Sequence, residues 1–167
     1  FAVMNAPVMR DEDDKAGVYV AAAGLARGWK GAIIQASRDG VTFENGPQAT
    51  VSATMGELTA ELPAHSRYAQ DWANTLAVTL YPLSGELDSV THEQIIAGAN
   101  AAAIVYPSGK VEIIQFQTAT EIAPRQYELT GIMRGRKDTA PGTHAAGATF
   151  VLLDNNVRFV AIKPDDL

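Results

Sequence analysis

The chain has 167 residues, 47% of them hydrophobic, with a formal net charge of −6 and no cysteine. That length and apolar content support one ordinary domain with a real core, and the negative field repels phosphates, which excludes nucleic acid as a partner. Without cysteine there is no disulfide, thiolate nucleophile or cysteine zinc site, so stability must come from packing.

No apolar run approaches the ~20 residues that span a bilayer, and no basic segment precedes an apolar stretch at the start, so neither membrane insertion nor a secretion signal is expected. The first residue is Phe1 rather than Met, which suggests a piece of a longer polypeptide. Val18 to Val20 and Ala32 to Ile34 read as strands on either side of a Gly24 to Gly28 break that carries Trp29, and Asp39-Gly40 suits the turn of a hairpin. Between them and the N-terminus lies the acidic run Asp11-Glu12-Asp13-Asp14, expected as a solvated loop. From Ala49 to Met55 small or apolar residues alternate with hydroxyl-bearing ones, and alternation resumes at Leu58, Ala60 and Leu62, which predicts two half-buried strands around a turn at Gly56. Leu76, Val78 and Leu80 mark a further strand, after a long loop from His65 to Asp71 that lacks periodicity.

Thr91-His92-Glu93-Gln94 has the capping-box pattern, followed by Ile95, Ile96 and Ala97 until Gly98, and predicts about two turns of connecting helix. Ala101 to Tyr106 and Val111 to Gln117 flank Pro107-Ser108-Gly109-Lys110 as a hairpin, and Phe150 to Leu153 with Arg158 to Ile162 repeat that theme around Asp154-Asn155-Asn156. Residues 1–167 therefore read as a single mainly β domain, an antiparallel sandwich or barrel-like fold with one short connecting helix near residues 92–98.

No residue pattern carries a known chemistry. The acidic run has Lys15 and Ala16 where a calcium loop needs an oxygen ligand and a glycine, and His65, His92 and His144 show no spacing that would present two imidazoles to one zinc ion. Nothing resembles a nucleophile elbow, so no catalytic residue, metal or cofactor is expected, and no hydrolase activity. Ser37-Arg38-Asp39-Gly40-Val41-Thr42-Phe43 resembles a shortened Asp-box hairpin, in which Ser37 and Asp39 satisfy the backbone of the turn. Trp29, Tyr68 and Trp72 are of the type that stacks on sugar rings or packs at hairpin ends.

The order of motifs along the chain carries a stronger signal. Pro7-Val8-Met9 before the acidic run, Gly28-Trp29-Lys30-Gly31-Ala32, Ser37-Arg38-Asp39-Gly40, Gly85-Glu86-Leu87, Asn100-Ala101-Ala102, Tyr127-Glu128-Leu129-Thr130-Gly131, Arg134-Gly135-Arg136 and His144-Ala145-Ala146-Gly147 follow one another. This succession resembles the C-terminal region of the baseplate hub proteins of gene transfer agents and related siphophages. Lys137-Asp138 departs from the Arg-Gly usual there, and Val41 stands where a second glycine is common. The resemblance implies a virion structural protein at the tail tip, assembled in the bacterial cytoplasm. Its implied partners are other tail and baseplate proteins and copies of the parent chain, with a host envelope glycan as a further contact. The rival expectation is a carbohydrate-binding or carbohydrate-cleaving β domain.

Within that set, Arg134-Gly135-Arg136 reads as a structural corner. Tyr127, Leu129 and Met133 form one face of a strand that stops there, Gly135 permits the turn, and the guanidiniums can grip carbonyls or a carboxylate in a fixed fork.

Overall fold

A computed structural model describes residues 1–162. Its centre is a closed barrel of six strands, all neighbours antiparallel, in the order β10-β5-β6-β9-β8-β7. These are β5 (Met55–Leu58), β6 (Leu76–Leu80), β7 (Ala101–Val105), β8 (Val111–Ala123), β9 (Gln126–Arg136) and β10 (Thr149–Leu152). A three-stranded sheet, β1 (Ala2–Met4), β2 (Gly17–Ala21) and β11 (Arg158–Ala161), covers one side, and β3 (Ala32–Ala36) with β4 (Glu44–Ala49) forms a separate hairpin. The short helix α1 (His92–Ile96) is opened by the expected capping box, Thr91 Oγ1 accepting from the Gln94 amide while Gln94 Oε1 accepts from the Thr91 amide.

Two apolar clusters explain the strand patterns. Leu58, Val78, Ile104, Phe116 and Phe150 pack inside the barrel. Met4, Tyr19, Met55, Ile113 and Val151 pack between the barrel wall and the three-stranded sheet. The barrel wall there is covered on both faces, which is why β7 reads Ala-Ala-Ala-Ile-Val with no alternation, whereas β6 keeps strict period two.

The structure corrects several sequence expectations. Gly56 lies inside β5, paired with Leu80, and is a point of close approach rather than a turn: a Cβ there would collide with the Thr79 carbonyl. The segment after β4 is irregular until Met55. β10 and β11 do not form a hairpin, since β10 closes the barrel and β11 pairs with β2. In the acidic run Asp13 is buried, accepting from the Tyr19 hydroxyl at 2.9 Å, while its neighbours are exposed.

β9 also runs past Arg134 to Arg136, and two glycines set its course. Gly131, at φ 63°, marks where the inward set passes from Tyr127 and Leu129 to Ile132 and Arg134, leaving Met133 only half-buried. Pairing then shifts between Gln115↔Met133 and Ile113↔Arg136, so one extra residue sits on β9 at Gly135, whose φ is 58°.

Candidate functional site

Glu112 on β8 and Arg134 on β9 share the inward parity of Ile114, Phe116 and Ile132, which places both charges at one end of the barrel interior. Both are fully buried. Arg134 Nε donates to Glu112 Oε1 at 2.7 Å and Nη2 donates to Oε2 at 3.0 Å, a two-pronged match of guanidinium and carboxylate planes. The same guanidinium donates to the carbonyls of Pro63 at 2.7 Å and Gly142 at 2.6 Å.

Glu112 is equally committed. It accepts from the amides of Gly135 at 3.1 Å and Gly142 at 3.0 Å, and from His144 Nε2 at 2.7 Å. An ionised carboxylate only accepts, so His144 carries its proton on Nε2. Burial by itself would raise the Glu112 carboxyl, but hydrogen bonds from His144, Arg134 and Gly142 and the Arg134 charge outweigh it and hold the group at about 2.

The outer shell is built from two loops. Asp71 Oδ2 lies 3.9 Å from Arg134 Nη1, and the Asp71 carboxylate is capped by the amides of Ala73 and Asn74 and by the Asn74 side chain. The Asp71 backbone pairs both ways with Ile132, and His65 Nε2 stands 3.8 Å from Asp71 Oδ1. His144 exchanges backbone bonds with Leu62, and its ring lies against Tyr106 with centroids 4.8 Å apart. Burial and then the Glu112 charge push the Tyr106 hydroxyl above its usual value, opposed by Arg134.

Gly135 is needed on two counts, its positive φ and a would-be Cβ contact of 2.8 Å with the Thr139 carbonyl. Its neighbour Arg136 turns outward, with Nε donating to Gln115 Oε1 at 2.8 Å, and Gln115 in turn donates to the Ile95 and Ala99 carbonyls behind α1. Lys137 and Asp138, where the sequence departs from the usual pattern, both adopt positive φ, 51° and 61°, and Asp138 pairs with Arg67 at 2.7 Å.

Of the residues singled out from sequence, Arg134, Gly135 and His144 converge on Glu112, and Arg136 lies beside them on the outer wall. The others stand apart as local fixtures. Asn100, at φ 53°, donates to the Asp88 and Phe116 carbonyls. The Gly147 amide donates to the Leu58 carbonyl at 2.7 Å, and Trp29 packs on Gly24. Ser37, Asp39 and Gly40 form the tip between β3 and β4, where the Thr42 and Val41 amides donate to Asp39 and Ser37 Oγ accepts from Gly40. Sequence reasoning missed Glu112 and Asp71. The readable signal for Glu112 was a lone charge in the largely apolar run Val111 to Phe116, in a strand whose neighbour carries Arg134 directly after the apolar pair Ile132-Met133.

Acid-base or nucleophilic chemistry needs a group that reaches a substrate. Glu112 and Arg134 are spent on each other and on backbone groups behind a closed surface, so what they can do is fix the barrel end and the two loops that cap it. The fold and its charged centre thus define a small antiparallel β-barrel domain stapled by a sealed ion cluster. Residues 53–151 match the Rcc01698-like, C-terminal family, and the chain belongs to that family. The match spans β5 to β10, which is the whole barrel with its ion cluster, and leaves β1 to β4 and β11 outside. No curated protein matches the chain.

Proposed function

We propose that the chain is a structural domain of a phage-like tail tip, a component of the baseplate hub, which assembles with other tail proteins and with copies of its parent chain. The observation that carries this reading is the family match over the complete barrel, because Rcc01698 is a gene transfer agent-associated protein in Rhodobacter. The ordered motifs of the hub-protein resemblance support it, and several of them are structural fixtures here: Asn100, Arg134, Gly135, His144 and Gly147 hold strands and loops in place. The place of action is then the virion, after assembly in the bacterial cytoplasm, with the distal surface turned toward the host envelope.

The carbohydrate reading draws on exposed Tyr68 and Trp72 in the loop after His65. A cleaving site would need two carboxylates facing a cleft. Asp71 and Glu112, the acids of the ion cluster, share Arg134 and are both fully buried.

Immunogold electron microscopy of particles released by the source bacterium, using antibody raised against this domain, tests the proposal. Label at the distal end of tails is the expected result. Label confined to capsids, to the tube or to the soluble fraction would overturn it.

A further inference from the structure

Two cavities of about 280 and 120 Å³ share Met9, Gly98, Ala101 and Lys137 in their lining and so form one groove, on the opposite side of the β8–β9 end from the ion cluster. Arg10 and Lys137 line its larger part, and Arg136 and Lys137 its smaller part. Three cations from two distant segments thus meet in a chain whose net charge is −6.

Their commitments differ. Arg10 Nη2 is held by the Asp154 and Val157 carbonyls at 3.0 and 2.9 Å, and its Nη1 lies 3.9 Å from Asp13. The Asp154 carboxylate, also on the groove, is taken up by the amide and side chain of Asn156. Arg136 uses only Nε, on Gln115, and the Lys137 ammonium has no partner among the described residues.

Lys137 is nevertheless firmly placed. It stands at φ 51° in a turn closed by the Thr139 amide and hydroxyl, both donating to the Arg136 carbonyl, while Thr139 Oγ1 accepts from the Ile113 amide at 2.9 Å. The backbone that carries it is thus fixed, and its exposed ammonium, with no partner among the described residues, is open to a group outside the chain.

We propose that this groove anchors an acidic peptide segment of another protein chain. Lys137 and Arg136 receive a Glu or Asp carboxylate, and an adjoining aliphatic side chain lies on Met9, Leu153 and Val157. The apolar part of the lining decides against a free phosphate, which would leave those walls uncovered. The inference does not rest on the tail-tip reading, because it concerns binding by the purified chain.

The test uses the full chain on an array of heptapeptides with a central Glu, Asp, Gln or Lys and each residue type in turn on either side. The best heptapeptide is then measured by fluorescence anisotropy. The expected result is selection of a central acid beside an aliphatic residue, affinity that falls as salt rises, and binding at least about tenfold weaker for Lys137→Glu at an unchanged melting temperature. Lys137→Arg should restore most of the binding. No preference for acid over Gln, or equal binding by Lys137→Glu, would overturn the proposal. So would a central acid bound equally well beside Ser and beside Leu and fully displaced by inorganic pyrophosphate, since that marks a plain oxyanion site.

Discussion

Arg134→Met keeps an unbranched apolar stem of similar reach and deletes the guanidinium, which isolates the charge from the packing. Four hydrogen bonds vanish, two to Glu112 and one each to the Pro63 and Gly142 carbonyls. Glu112 remains buried with three donors in place of five, and the two carbonyls lose their partner. Breaking one side of a buried pair costs about 3–5 kcal/mol, and an orphaned buried acceptor about 1–3 kcal/mol before the surroundings relax. Loosening of the loop ends near Pro63 and Gly142 would let water reach the carbonyls, so the expected loss is about 4 kcal/mol. For a chain of this size that is roughly 8–16 °C in melting temperature.

Thermal and urea unfolding followed by circular dichroism would read that loss directly. The double variant Arg134→Met with Glu112→Gln should be less destabilised than the sum of the single variants by about 2 kcal/mol or more, because neutralising Glu112 removes the stranded charge. A single-variant loss below about 1 kcal/mol, or additive single effects in a natively folded protein, would refute the claim that the pair closes the barrel end.

Three further outcomes follow from the same geometry. The Glu112 carboxyl is held at about 2 against 4.5, so its stabilisation is complete above the unfolded value and fades as pH falls through the folded one; urea midpoints should drop more steeply from about pH 5 to 2 in the wild type than in Glu112→Gln, a difference of about 3 kcal/mol at saturation. Gly56→Ala should cost about 2 kcal/mol or more, since the added methyl meets the Thr79 carbonyl across β5 and β6; an unchanged urea midpoint would show that the strands can part there. Asp39, whose carboxyl is held at about 2 by the amides of Thr42 and Val41, acts on its own turn alone, so Asp39→Ala should speed amide exchange at those two residues and leave the melting temperature of the barrel unchanged.

Period two made the strands legible where one face meets the core and the other meets solvent or a polar neighbour. Leu76, Val78 and Leu80 point into the barrel and announce β6. The signal fails where both faces are covered, as along β7, and there the Pro107-Ser108-Gly109-Lys110 turn located the hairpin instead. Glycine was ambiguous for a physical reason: freedom of φ and absence of a Cβ are two different uses of one residue. Gly40 serves the first, at a turn with open space around it, and Gly56 the second, inside a strand. Asp154 to Asn156 do form a turn, with the Asn156 amide donating to Asp154 at 2.7 Å, but the hairpin read from it is absent, because a local turn does not say which strand is paired afterwards.

The ion cluster shows the limit most sharply. Arg134 could be recognised as a fork that seeks carbonyls and a carboxylate, yet Glu112 lies 22 positions away and Asp71 further still, so it takes the β8–β9 pairing and the Asp71–Ile132 bridge to make them neighbours. The extra residue at Gly135 is what the partnership turns on. With regular pairing, Arg136 would stay in step with Met133 only by changing faces; the bulge lets Met133 and Arg136 both look outward while Arg134 faces Glu112. Five donors then reach Glu112 from Arg134, Gly135, Gly142 and His144, fixing the strand register and the position of the returning loop in one arrangement. An apolar plug could tolerate a slip between β8 and β9. A buried carboxylate cannot, because any shift strands the charge, and that is the physical reason for a basic corner at this point of the barrel.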